Sequence, residues 1–170
     1  MTTGTGMAFL LRALAIAALL GGHVGLAQAQ EAKVAFGGLT QDTTLPVEVQ
    51  ADTLSVNNAD GTAVFDGNVL VGQGEMRLAA ARVVVEYGTD GKSIARLHAT
   101  GGVTIANLAD AAEAREALYT IDTGVIVLTG DVLLTQGASA LSGQKLTIDL
   151  KDGTGVMEGR VSTVFVPGGN

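Results

Sequence analysis

Few side chains in this sequence are equipped for covalent or metal chemistry, and those few are badly spaced for it. Cysteine is absent. That excludes disulfides, thiolate metal sites and thiol catalysis. Histidine occurs only at His23 and His98. A serine activated by His98 would need a strained elbow of the Gly-x-Ser-x-Gly kind. The nearest approach, Gly137-Ala138-Ser139-Ala140, lacks the closing glycine. His98 lies in a strand-like stretch and reads as a surface or edge residue, and no histidine cluster suits zinc. Gly72-Gln73-Gly74 resembles the start of a phosphate-cradling loop, but no third glycine and no helix follow. It reads as a strand turn. Asp60, Asp90, Asp122 and Asp152 raise calcium, which needs several oxygen ligands close together. Single aspartates about 30 residues apart do not supply them. Glu113 and Glu116 are close enough to suggest paired carboxylates, yet they read as a solvated face. The expectation is a non-enzymatic protein with no catalytic residues, no metal and no cofactor.

The apolar residues must then carry the function. They make up 47% of 170 residues, while aromatics make up 4%. Such a chain is long enough for a sizeable core built from Val, Leu, Ile and Ala. With 24 glycines and 2 prolines, it suggests strands joined by tight turns rather than disorder. The net charge of −7 argues against nucleic acid, because phosphate binding needs clustered Lys and Arg.

Residues 7–20 (MAFLLRALAIAALL) are apolar, with Arg12 their one charge, and Ala27-Gln28-Ala29 follows. Small residues at those spacings suit a signal peptidase, so residues 1–29 read as a signal peptide cleaved after Ala29. An uncleaved anchor is the alternative. Cleavage would leave 9 basic and 17 acidic residues, a net of −8. Residues 30–45 show no clear period and read as a lead-in, ordered in part at most. Residues 46–170 form the domain.

Two marks recur through that domain. One is an Asp turn: Asp60-Gly61, Asp90-Gly91, Asp122-Thr123-Gly124 and Asp152-Gly153. Such pairs favour tight turns with positive φ. The other is Gly-x-Val at Gly67, Gly101, Gly130 and Gly159, in steps of 34, 29 and 29 residues. The block from Gly67 to Gly74 also aligns with that from Gly130 to Gly137, at an offset of 63. Between the marks the pattern has period two, as in Val47-Glu48-Val49-Gln50 and Lys145-Leu146-Thr147-Ile148-Asp149-Leu150. Val83-Val84-Val85 and Val125–Leu128 are continuously apolar, so they are buried on both faces or paired with a partner. Residues 107–118 are rich in helix formers. They read as a short helix, or, following the repeat, as a loop and then a strand over about 115–121. The fold class is all-β: stacked antiparallel strands rolled into an open, V-shaped sheet, with edges at both ends that invite further strands.

The run Gly67-Asn68-Val69, Gln73-Gly74, Leu78, Ala80 and Arg82-Val83-Val84-Val85 resembles the OstA-like family of lipopolysaccharide-transport proteins. So do Pro46-Val47-Glu48-Val49, Val127-Leu128-Thr129-Gly130-Asp131-Val132 and Val164-Phe165-Val166-Pro167. The resemblance is greatest to the family's soluble periplasmic bridge component. It implies a twisted β-jellyroll whose greasy groove shields lipid A acyl chains. It implies end-to-end assembly with membrane-anchored and outer-membrane proteins of similar fold, and it allows a head-to-tail homo-oligomer. The inward, lipid-binding positions would be Val47, Val49, Val69, Val71, Met76, Leu78, Val83, Val85, Val103 and Ile105, with Leu70 and Val84 facing away. Partner edges would be Val47, Glu48, Val49 and Gln50 at one end and Val161, Val164, Phe165 and Val166 at the other. Each buried acyl methylene would contribute roughly 0.8 kcal/mol. Two other readings stand beside the carrier: a membrane-anchored relative in the same pathway, and a structural β-solenoid module with a dry core.

Overall fold

The computed structural model describes residues 32–35, 40–108 and 110–164. The expected signal peptide lies outside them. The described strands are β1 (Ala32–Ala35), β2 (Glu48–Gln50), β3 (Thr53–Asn57), β4 (Thr62–Gln73), β5 (Met76–Tyr87), β6 (Ile94–Asn107), β7 (Asp110–Thr120), β8 (Val125–Gln136), β9 (Ser139–Asp149), β10 (Thr154–Glu158) and β11 (Ser162–Val164). All pair antiparallel, in the order β1-β10-β9-β8-β7-β6-β5-β4-β2, with β3 also on β4 and β11 also on β9. The fold is thus the expected all-β, repeat-built open jellyroll.

Each Gly-x-Val mark is a break at mid-strand. Two residues there oppose one on the next strand, the definition of a β-bulge. Gly67-Asn68 face Ala81, Gly101-Gly102 face Arg115, and Gly130-Asp131 face Gln144. Both residues of each mark take positive φ, for example +82° and +47° at Gly67 and Asn68. Glycine is also needed for space: a β-carbon on Gly101 would sit 2.6 Å from that of Ala81. Gly159-Arg160, with φ of +80° and +49°, lies between β10 and β11 and makes them two halves of one bent strand. Because the bulges align, the sheet folds along one crease into two arms. Arm A holds β3, β10, β1 and the halves of β4–β9 joined by the Asp turns. Arm B holds β2, β11 and the other halves.

The bulges set a rule for which side chains point inward. Strands with Gly-x keep their phase across the crease, as in Ala63, Val69 and Val71, all buried. The strands opposite slip by one: Met76, Leu78 and Ala80 are buried, then Val83 and Val85. Strands β7 and β9 slip likewise, from Ala112 to Ala117 and from Leu141 to Leu146. The inward faces of both arms merge into one apolar cluster.

This slip explains a correction. The strand expected over about 115–121 is present, but residues 107–118 hold neither a helix nor a long loop before it. Strand β7 begins at Asp110 and pairs along both sides, with β6 and β8. Two ladders outweigh the helix propensity of its alanines and glutamates. The phase change near Arg115 hides the period-two pattern. The two continuously apolar runs instead alternate: Val83, Val85, Ile126 and Leu128 are buried, while Val84, Val125 and Val127 are half-buried.

The adjacent glycines separate the two costs at the crease. Gly101 and Gly102 share a φ of +84°, but nothing lies within 4 Å of a β-carbon on Gly102. Gly102→Ala should therefore cost about 1–2 kcal/mol of backbone strain. Gly101→Ala should cost at least about 1 kcal/mol more, for the clash with Ala81. Urea denaturation of the two variants checks this.

Candidate functional site

The apolar interior where the two arms pack together is the candidate site. Alternation aims Val69, Val71, Met76, Leu78, Val83, Val85, Val103 and Ile105 into it, each at most 2% exposed. Val47 and Val49 are half-buried at its end and pack against the same cluster. Leu70 faces outward at 51% exposure, and Val84 is on the outer face of β5. Arm A adds a wall that the sequence assignment named only through Val83 and Val85: Leu97, Ile126, Leu128, Leu146, Ile148 and Met157.

Three ion pairs lie on the outer face. Arg82 pairs with Asp66 at 2.8 Å, Arg96 with Glu86 at 2.8 Å, and Lys145 with Glu158 at 2.7 Å, each across neighbouring strands. His98 also faces outward, its Nε2 3.3 Å from Glu116 Oε2. Such exposed pairs contribute at most about 1 kcal/mol each. Among the described residues, no group of three or more His, Asp or Glu could hold a metal.

Among the described residues, the buried polar side chains are Gln41, Gln73, Asn107 and Asp110. Gln73, Asn107 and Asp110 border the hairpin turns at the tip of arm B. The mouth of the V is thus polar and its depth apolar. Tyr119, near the tip of arm A, crosses the interior and donates its hydroxyl to Gln73 Oε1 at 2.8 Å. The Gln73 amide then donates to the carbonyls of Thr43 (3.1 Å) and Leu45 (3.0 Å). Those carbonyls can only accept, which fixes the amide's orientation. The lead-in is therefore part of the site, since residues 41–45 run over the mouth. Gln41 N donates to the Leu150 carbonyl at 3.0 Å, and Gln41 Nε2 donates to the Gln73 carbonyl at 2.6 Å.

The expected edges are placed as follows. Glu48–Gln50 form β2, an edge of arm B, with Val47 just before it. Val161 precedes β11, which contains Val164 and pairs with β9. Phe165 and Val166 lie outside the described residues. The sequence reading missed β3, which edges arm A by pairing with β4. Its Leu54 and Val56 stand opposite Phe65 and Ala63, yet they are 55% and 61% exposed. It also missed Tyr119 and Gln73 as partners; their one signal was the repeat itself, which sets Gln73 in phase with Gln136.

Burial holds the Tyr119 hydroxyl neutral, pushing its pKa from 10.0 up to about 12. A tyrosine raised in the folded state contributes stability that is whole below pH 10 and lost as pH rises from about 10 to about 12. The loss should be about 2–3 kcal/mol. Tyr119→Phe should remove this pH dependence and cost about 1–2 kcal/mol at neutral pH, because Gln73 Oε1 loses its donor. Denaturation at stepped pH reads both effects.

A family described as LptA/(LptD N-terminal domain) LPS transport protein matches residues 48–154. The lipopolysaccharide export system protein LptA of Escherichia coli (strain K12) is 30% identical, over 76% of this chain and 75% of that one. An uncharacterized protein of Rhizobium meliloti (strain 1021) is 28% identical, over 91% of this chain and 90% of its own. The fold is shared with the crystal structure of LptH from Pseudomonas aeruginosa, described as the LptA-homologous periplasmic component of a lipopolysaccharide transport device. That likeness has a TM-score of 0.67 at 20% identity, covering 75% of this chain and 99% of that one.

Proposed function

The chain belongs to the LptA/LptD N-terminal-domain family of lipopolysaccharide transport proteins, and from that premise we propose that it is a periplasmic carrier holding lipid A acyl chains between its two arms. One observation carries the reading. A single apolar interior runs between the arms, and its buried polar groups gather at the mouth. A lipid with several acyl chains and a large sugar headgroup fits that division. The chains take the place of arm-to-arm contacts, and the sugars stay outside in water. Each methylene moved from water into that interior contributes roughly 0.8 kcal/mol.

The open strand edges support end-to-end assembly. Unpaired edge backbone is a template for another strand. At one end the edges are Val47–Gln50 and, in addition, Thr53–Asn57 with its exposed Leu54 and Val56. At the other end Val161, Val164, Phe165 and Val166 supply the partner edge. The partners are a membrane-anchored protein and an outer-membrane protein of similar jellyroll fold, or further copies of this chain. Joined in register, their interiors would form one continuous groove.

Photo-crosslinking in cells that make lipopolysaccharide tests the groove. A photoreactive residue at Val71 should give lipopolysaccharide adducts, and one at Leu70, the next residue along, should give none. Adducts at neither position in the exported, folded protein would favour a structural module with a dry core. Adducts at Leu70 alone would move the lipid to the outer face.

A further inference from the structure

We infer that residues 41–45 form a releasable strap over the mouth, and that lipid enters between the arms only after the strap lifts. The inference rests on the carrier reading above. The strap runs from Leu150, at the tip of arm A, to Gln73 and Gly74, at the tip of arm B. It belongs to no strand ladder. Besides Gln41, little of it is buried: Asp42, Thr44 and Leu45 are exposed and Thr43 is half-buried. A segment held by a few hydrogen bonds, with little buried apolar surface, opens at low free energy.

The strap is built to keep its shape. Asp42 Oδ1 accepts from the Thr44 amide at 2.9 Å and the Thr44 hydroxyl at 2.6 Å, and the Leu45 amide donates to the Asp42 carbonyl at 3.3 Å. These bonds are internal and survive release. The bonds that must break are those of Gln41 and Gln73. All their partners are neutral, so water can replace them without moving a charge. An acyl chain can make none of them.

The repeat supplies a built-in comparison. Gly74 and Gly137 occupy matching turns, with φ of +53° and +54°. A β-carbon on Gly137 would meet nothing within 4 Å, while one on Gly74 would meet Gln41 and would lie 2.9 Å from Leu45 Cδ1. One of two matched turns is therefore fitted against the strap.

Locking the strap tests its release. The chain has no cysteine, so a double variant Thr43→Cys, Gly124→Cys carries one pair. A β-carbon on Gly124 would lie 3.2 Å from Thr43 Cγ2, within reach of a disulfide. The full chain should take up fluorescent lipopolysaccharide about tenfold more slowly when oxidised than when the same sample is reduced. Equal rates would overturn the strap and leave entry through the ends of the stack. If neither the natural chain nor the reduced variant takes up lipopolysaccharide, the carrier reading fails. Uptake of the apolar dye N-phenylnaphthylamine by the oxidised and reduced samples then decides the strap alone. Slower uptake when oxidised upholds it, and equal uptake overturns it. Amide exchange gives an independent readout without the disulfide. Gly74→Ala should speed exchange at the Gln41 amide, which is bonded to Leu150, and Gly137→Ala should not; equal exchange in the two variants would overturn the strap.

Discussion

Folding one sheet onto itself is the constraint on which the rest of the molecule depends. The aligned bulges at Gly67, Gly101, Gly130 and Gly159 bend the strands at one level. Without the bend, the chain would be a long flat sheet with one greasy face in water. With it, the two halves of that face cover each other. The cost is local: paired positive-φ residues at the crease, three of them, Asn68, Asp131 and Arg160, not glycine. The return is an interior made without a second sheet or a helix. It is closed along the crease, and both ends remain sheet edges.

That geometry also sorts the chemistry. The ion pairs lie on the outer face, across neighbouring strands, as in Asp66–Arg82 and Lys145–Glu158. Side-chain amides, the Tyr119 hydroxyl and the buried Asp110 carboxyl line the mouth. The depth holds Val, Leu, Ile, Met and Ala. In the proposed carrier role, a net acidic protein would hold an anionic lipid through its apolar chains rather than its phosphates. Few interactions span the mouth, so opening it disturbs neither the ladders nor the crease.

Much of this was legible in the sequence because the repeat writes it four times. The Asp-Gly turns, the Gly-x-Val marks and the period-two stretches located the strands, and eight of the ten inward assignments fall on fully buried positions. The rest was hidden for physical reasons. Strand β7 changes phase at Arg115, and its alanines favour helix when read alone. The link between Tyr119 and Gln73 joins residues 46 apart, and that between Gln41 and Gln73 joins residues 32 apart. Neither pair follows from local pattern. Strand β3 looks like part of a turn-rich stretch, since its Leu54 and Val56 gain almost no burial.

The central claim is that cargo lies between the arms and holds them apart. Spin labels at Leu118→Cys, outward on arm A, and Leu133→Cys, outward on arm B, would report the separation, since both positions are partly exposed and the chain has no cysteine of its own. Pulsed electron–electron resonance with saturating lipopolysaccharide should show the distance lengthen by several ångströms over that of the free protein. An unchanged distance with lipopolysaccharide bound would contradict the account.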